Sequence, residues 1–75
     1  MGKLNYIDEN IEIDFEVWKL IKNEMQELKN CDTCGDEANY ENTAELLGVH
    51  AKAALAAGDI NEYQYNLIRR KYGVV

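Results

Sequence analysis

Four glycines, at positions 35, 48, 58 and 73, are the strongest interruptions in a chain that contains no proline. Glycine ends helices because it enters left-handed backbone geometry without a Cβ clash, whereas proline would stop them outright. A proline-free chain punctuated in this way is directed toward helices that break near these positions. With 75 residues the chain makes one domain, near the lower size at which a single core holds a fold unaided.

Three helical segments follow from the apolar spacing. Ile11, Phe15, Trp18, Ile21, Met25 and Leu28 recur at intervals of three and four, which predicts a helix over residues 14–29. Acids precede it and Lys19, Lys22 and Lys29 come later, an order that suits the helix dipole. A second pattern overlaps the first: Ile11-Glu12-Ile13-Asp14-Phe15-Glu16-Val17 alternates with period two, the mark of a half-buried strand. No second strand offers itself as a partner within the chain. The expectation is therefore helix from Asp14, with residues 1–13 extended or frayed, and a strand edge offered to another chain as the alternative.

Residues 30–36, containing Cys31-Asp32-Thr33-Cys34-Gly35, are expected to be a connecting loop. The second helix is predicted over 37–57, where Tyr40, Ala44, Leu47, Ala51, Ala54 and Ala57 share one stripe and Leu46, Val49 and Leu55 widen it. Gly48 costs about 1 kcal/mol against alanine inside a helix, so a bend or break is open there. The third helix, 61–72, has the clearest start: Asn61 as N-cap with Gln64 three residues on forms a capping-box pattern, and Ile60 can staple onto Tyr65. Residues 73–75 are left as a tail. The short Gly58-Asp59-Ile60 link forces the last two helices into an antiparallel hairpin. The predicted fold is all-α, a small three-helix domain with helix one packed on a C-terminal antiparallel helical hairpin.

Ala54-Leu55-Ala56-Ala57-Gly58-Asp59-Ile60-Asn61-Glu62-Tyr63-Gln64-Tyr65 resembles the small SHOCT-type helical hairpins, with an apolar helix end, a glycine, an isoleucine, a cap and an acidic, aromatic helix start. That resemblance implies a hairpin serving as an oligomerisation or docking appendage. Thr43-Ala44-Glu45-Leu46-Leu47-Gly48-Val49-His50 resembles the first helix and turn of a helix-turn-helix. The residues that would then read DNA, Ala51-Lys52-Ala53-Ala54-Leu55-Ala56-Ala57, lack groups that reach base edges.

The net charge of −6 is unevenly distributed. Residues 1–45 hold twelve acids against four bases, and residues 46–75 hold two acids against four bases. An acidic amino-terminal half opposes binding to phosphate, so nucleic acid is not an expected ligand. No long apolar run suggests a membrane span, and the amino terminus lacks the apolar stretch of a signal peptide, which points to a cytoplasmic protein.

Two chemical readings remain. Cys31 and Cys34 have metal-ligand spacing, and zinc would need His50 with a carboxylate such as Glu41 or Glu45, or a second subunit, to complete four ligands. The plainer reading is a loop that happens to hold two thiols, with no cofactor. No nucleophile or acid pair is spaced to work with His50, and so small a chain has little room for a substrate cavity, so no enzyme is expected. The function expected is a non-enzymatic regulatory module, a small acidic inhibitor or adaptor of bacterial or phage type. Asp8, Glu9, Glu12, Asp14, Glu16 and Trp18 would dock on a larger protein, including one whose surface otherwise grips nucleic acid. A homodimer would add the burial that so small a core lacks.

Overall fold

The computed structural model describes residues 2–73, so residues 74 and 75 of the expected tail lie outside the described residues. Three helices follow in order: α1, Lys19–Cys34; α2, Glu37–Ala57; and α3, Glu62–Tyr72. No strand occurs among the described residues, and α1 packs against the α2–α3 hairpin, most extensively on α2. The domain is all-α, as its periodicity predicts. None of its helices is long and apolar enough to cross a membrane among the described residues.

The hairpin is built by local signals. Asp36 caps α2 by accepting from the Asn39 amide, and α2 then runs unbroken through Gly48 to Ala57. At its end Gly58 is left-handed, with its amide donating to Leu55 O and the Asp59 amide donating to Ala54 O. This pair of bonds satisfies carbonyls the helix would leave open and turns the chain sharply. Asn61 and Gln64 then cap α3 reciprocally, at 2.8 and 2.9 Å. Arg69, Arg70 and Lys71 fall in its last turn, where cations favour the helix dipole.

The continuity of α2 removes the corner that a helix-turn-helix needs. Residues 43–57 lie on one helix, so the resemblance at Thr43–His50 does not describe the fold.

The amino-terminal segment departs from the expected helix start. α1 begins at Lys19, and the preceding residues form an extended strap. Ile11, Ile13, Phe15 and Val17 are half-buried while Glu12, Asp14 and Glu16 are exposed, so the period-two pattern is the one the chain obeys. A helix here would turn these apolar side chains, which are two residues apart, by about 200° from one to the next. Extended backbone puts them all on one face, and Ile13, Phe15, Val17 and Trp18 pack against the core. The acids therefore sit ahead of α1 and not in its first turn, which instead carries Lys19 and Lys22. That arrangement opposes the helix dipole, an effect of about 0.3–1 kcal/mol. Burial at roughly 25 cal/mol per Å² over several large side chains outweighs it.

The core gathers Ile21 and Leu28 of α1, Leu47 of α2 and Ile68 of α3, all fully buried. Ala51 and Ala54 are also fully buried and let the helices approach closely. Ile60, the residue before the α3 cap, is buried at the hairpin turn, and Tyr65 packs partly against the same cluster.

Candidate docking surface

The strap is fastened at both ends. The Leu4 amide donates to Asp32 O at 2.9 Å, and the Tyr6 amide donates to Asp32 Oδ1 at 2.8 Å. Asp32 is 1% exposed, so its carboxylate serves as a fixed acceptor at the end of α1. The Tyr6 hydroxyl donates to Glu37, and its ring meets Tyr40 edge-on at 5.1 Å. The Asp8 amide donates to Lys71 O at 2.8 Å, and Lys71 Nζ donates to Ile11 O at 2.6 Å. At the far end Trp18 Nε1 donates to Asp59 Oδ2 at 2.6 Å, beside the hairpin turn. The strap thus runs alongside α3, from its last turn to the turn before its first.

Between these anchors residues 12–17 make no backbone hydrogen bond to the chain's own backbone among the described residues. Glu12, Asp14 and Glu16 are exposed and take part in no hydrogen bond or ion pair there. In extended backbone alternate residues lie about 6.6 Å apart, so the three carboxylates form a line. Glu9 is exposed and pairs with Lys3 at 3.3 Å, and Asp8 Oδ1 accepts from the Asn10 amide at 3.0 Å. The structure therefore places all five acids on the outside. Trp18 is half-buried and its indole N–H is spent on Asp59, which makes it an anchor of the strap.

The cysteines lie elsewhere. Cys31 and Cys34 occupy the last turn of α1, not a loop, and Gly35 closes that helix in left-handed geometry with its amide on Cys31 O. Glycine is required there because φ is +77°. Cys34 is exposed, whereas Cys31 is buried; burial first, then the charges of Glu27 and Asp36, push its thiol pKa up. That shift disfavours the thiolate a metal would bind. His50 turns to Glu24, with Nδ1 2.7 Å from Oε2, and Glu24 precedes Cys31 by two turns of α1. Glu41 and Glu45 are exposed on α2. No three His, Cys, Asp or Glu side chains gather into a metal-holding group among the described residues.

Two buried acids escape a reading of the sequence by type alone. Glu24 and Asp32 both fall on the apolar stripe of α1, three residues after Ile21 and four after Leu28, and both are buried. An acid in an inward position of a helix was the available signal, because such a group must find a partner. Compared with known protein families, curated proteins and solved structures, the chain matches none.

Proposed function

We propose that this chain is a non-enzymatic protein-binding regulator whose acidic strap docks on a basic surface of a larger protein. The observation that carries the reading is the outward line of Glu12, Asp14 and Glu16 on extended backbone that makes no backbone hydrogen bond among the described residues. No cation interrupts the sequence from Asp8 to Trp18. A row of carboxylates would compete with phosphates for lysine and arginine, and the fastenings at Asp32, Lys71 and Asp59 reduce the ordering cost on binding. The free backbone of residues 12–17 would add main-chain bonds to an exposed sheet edge on the partner. Docking of this kind occludes a basic groove without any chemistry.

Affinity purification from cell lysate at about 50 mM salt should recover a partner that is lost when salt rises to about 200 mM. The triple variant Glu12→Gln, Asp14→Asn, Glu16→Gln should keep its helical circular dichroism and lose that partner. Recovery of no specific protein at low salt, or equal recovery by the triple variant, would sink the reading.

A further inference from the structure

We propose that the outward face of α2 is a homodimer interface, on which two copies pair antiparallel about a two-fold axis passing between Gly48 and Val49. This surface is distinct from the strap, and the inference does not rest on the docking role above. α2 carries large apolar side chains beyond its buried face. Leu47, Ala51 and Ala54 are buried inward, while Leu46 and Val49 remain 52% and 60% exposed. These two apolar side chains stand among the exposed Glu41, Asn42, Glu45 and Lys52.

Gly48 supplies the second observation. The helix passes through it without a break, and its φ is not among the positive ones, so the local backbone has no need of glycine. Glycine keeps the helix surface low at this point. Gly48 lies with Ala44, Glu45, Val49 and Lys52 on the wall of an open groove of about 990 Å³ whose opposite wall includes Tyr65 and Arg69 of α3. A second helix can approach closely there.

The register follows from charge. Glu45, Val49 and Lys52 stand at i, i+4 and i+7, on one face of α2. In an antiparallel pair centred between Gly48 and Val49, residues of this face that are equally far from the centre are brought opposite one another. Val49 then packs beside Gly48 of the second copy and Glu45 meets Lys52, with each contact made twice. A parallel pair would set Glu45 against Glu45 and Lys52 against Lys52. The face is complementary to itself only in the antiparallel sense.

Sedimentation equilibrium of the full chain tests this. From low to high micromolar concentration the mass should rise from 8.6 kDa toward twice that value. Val49→Glu, at an exposed position, should leave the circular dichroism unchanged and weaken dimerisation by more than about tenfold. Glu45→Lys and Lys52→Glu should each weaken it by about tenfold, and the double reversal should restore it to within a few-fold of the parent. A mass of 8.6 kDa at every concentration would overturn the proposal. So would a dimer indifferent to Val49→Glu, and one that the double reversal fails to restore would overturn the antiparallel register.

Discussion

The α2–α3 hairpin and the amino-terminal strap rest on the same core, yet they are specified by different kinds of information. The hairpin carries its instructions locally: a cap at Asp36, a left-handed glycine at 58, and the Asn61–Gln64 box, all within a few residues of the turns they make. The strap carries almost none. Among the described residues its backbone between Glu12 and Val17 bonds to no other backbone, and its conformation is held by what lies beneath Ile13, Phe15 and Val17 and by three distant anchors. Local instructions survive loss of neighbours. Tertiary ones do not, so the two regions should fail in different ways when the molecule is damaged.

The largest damage should erase the contrast. Leu47 is fully buried at the centre of α2, the helix that both α1 and α3 pack on. Leu47→Ala should cost about 3 kcal/mol, combining lost burial with a residual cavity. For a domain of this size that is a large share of the whole stability. Urea denaturation followed by tryptophan fluorescence, which reports the strap through Trp18, and by circular dichroism, which reports the helices, should show one transition moved to lower urea. Two separated transitions would show that the hairpin persists without the core.

A narrower cut should separate the regions. Asp32→Ala removes the carboxylate that accepts from the Tyr6 amide, leaving a part-buried donor without its partner. The expected cost is about 2 kcal/mol. Hydrogen exchange should accelerate at the bonded strap amides of Leu4, Tyr6 and Asp8 while α2 and α3 keep their protection. Uniform acceleration along the whole chain would mean that strap and hairpin form a single cooperative unit.

These two regions also divide what could be read in advance from what could not. Three helices, the bounds of α2 and the α3 capping box were legible because periodicity and cap chemistry act over three or four residues. The start of α1 was not. From Ile11 to Val17 a helical stripe and a period-two stripe share the same letters, and the choice depends on a core surface assembled by residues tens of positions away. The cysteines were misplaced for a related reason. Glycine at 35 signals the end of a helix, and the thiols before it belong to that helix's last turn. Of the expected docking residues, the acids were legible as exposed because they alternate with apolar neighbours, whereas the bond from Trp18 to Asp59 spans 41 residues and leaves no local trace.

Alkaline pH should strain the hairpin where its ends are joined by tyrosines. Tyr40 donates its hydroxyl to Tyr72 O at 2.8 Å. Burial first, then the nearby Asp32 charge, raises the Tyr40 pKa well above the ordinary tyrosine range, and burial likewise raises that of Tyr72. A tyrosine is neutral when protonated, so the unfolded chain gives up these protons near pH 10 while the folded chain retains them. Stability should thus be level below about pH 10 and fall as pH rises beyond it. Tyr40→Phe should lower stability at neutral pH by about 1.5 kcal/mol through the lost bond to Tyr72 O. It should also flatten the alkaline decline, which denaturation midpoints measured at intervals of pH will show; an unchanged slope would assign that decline to other groups.

The smallest expected effect tests the hairpin's side of the comparison most directly. Asn61 accepts from the Gln64 amide while Gln64 returns a bond to the Asn61 amide, so Asn61→Ala removes one half of the box and leaves the other without its geometry. The expected loss is about 1 kcal/mol. If the hairpin is locally specified, that loss should appear first as fraying of α3, with faster exchange at Tyr63, Gln64 and Tyr65, while α1 and the first half of α2 are undisturbed. The strap is tied to the other end of α3 through Lys71 and to the turn through Asp59. It should therefore loosen at Trp18 before it loosens at Tyr6, and tryptophan fluorescence should shift at lower urea than exchange at residues 4–6 begins to accelerate. The reverse order would mean that the strap stabilises the hairpin turn rather than depending on it, and local specification of the hairpin would then have to be given up.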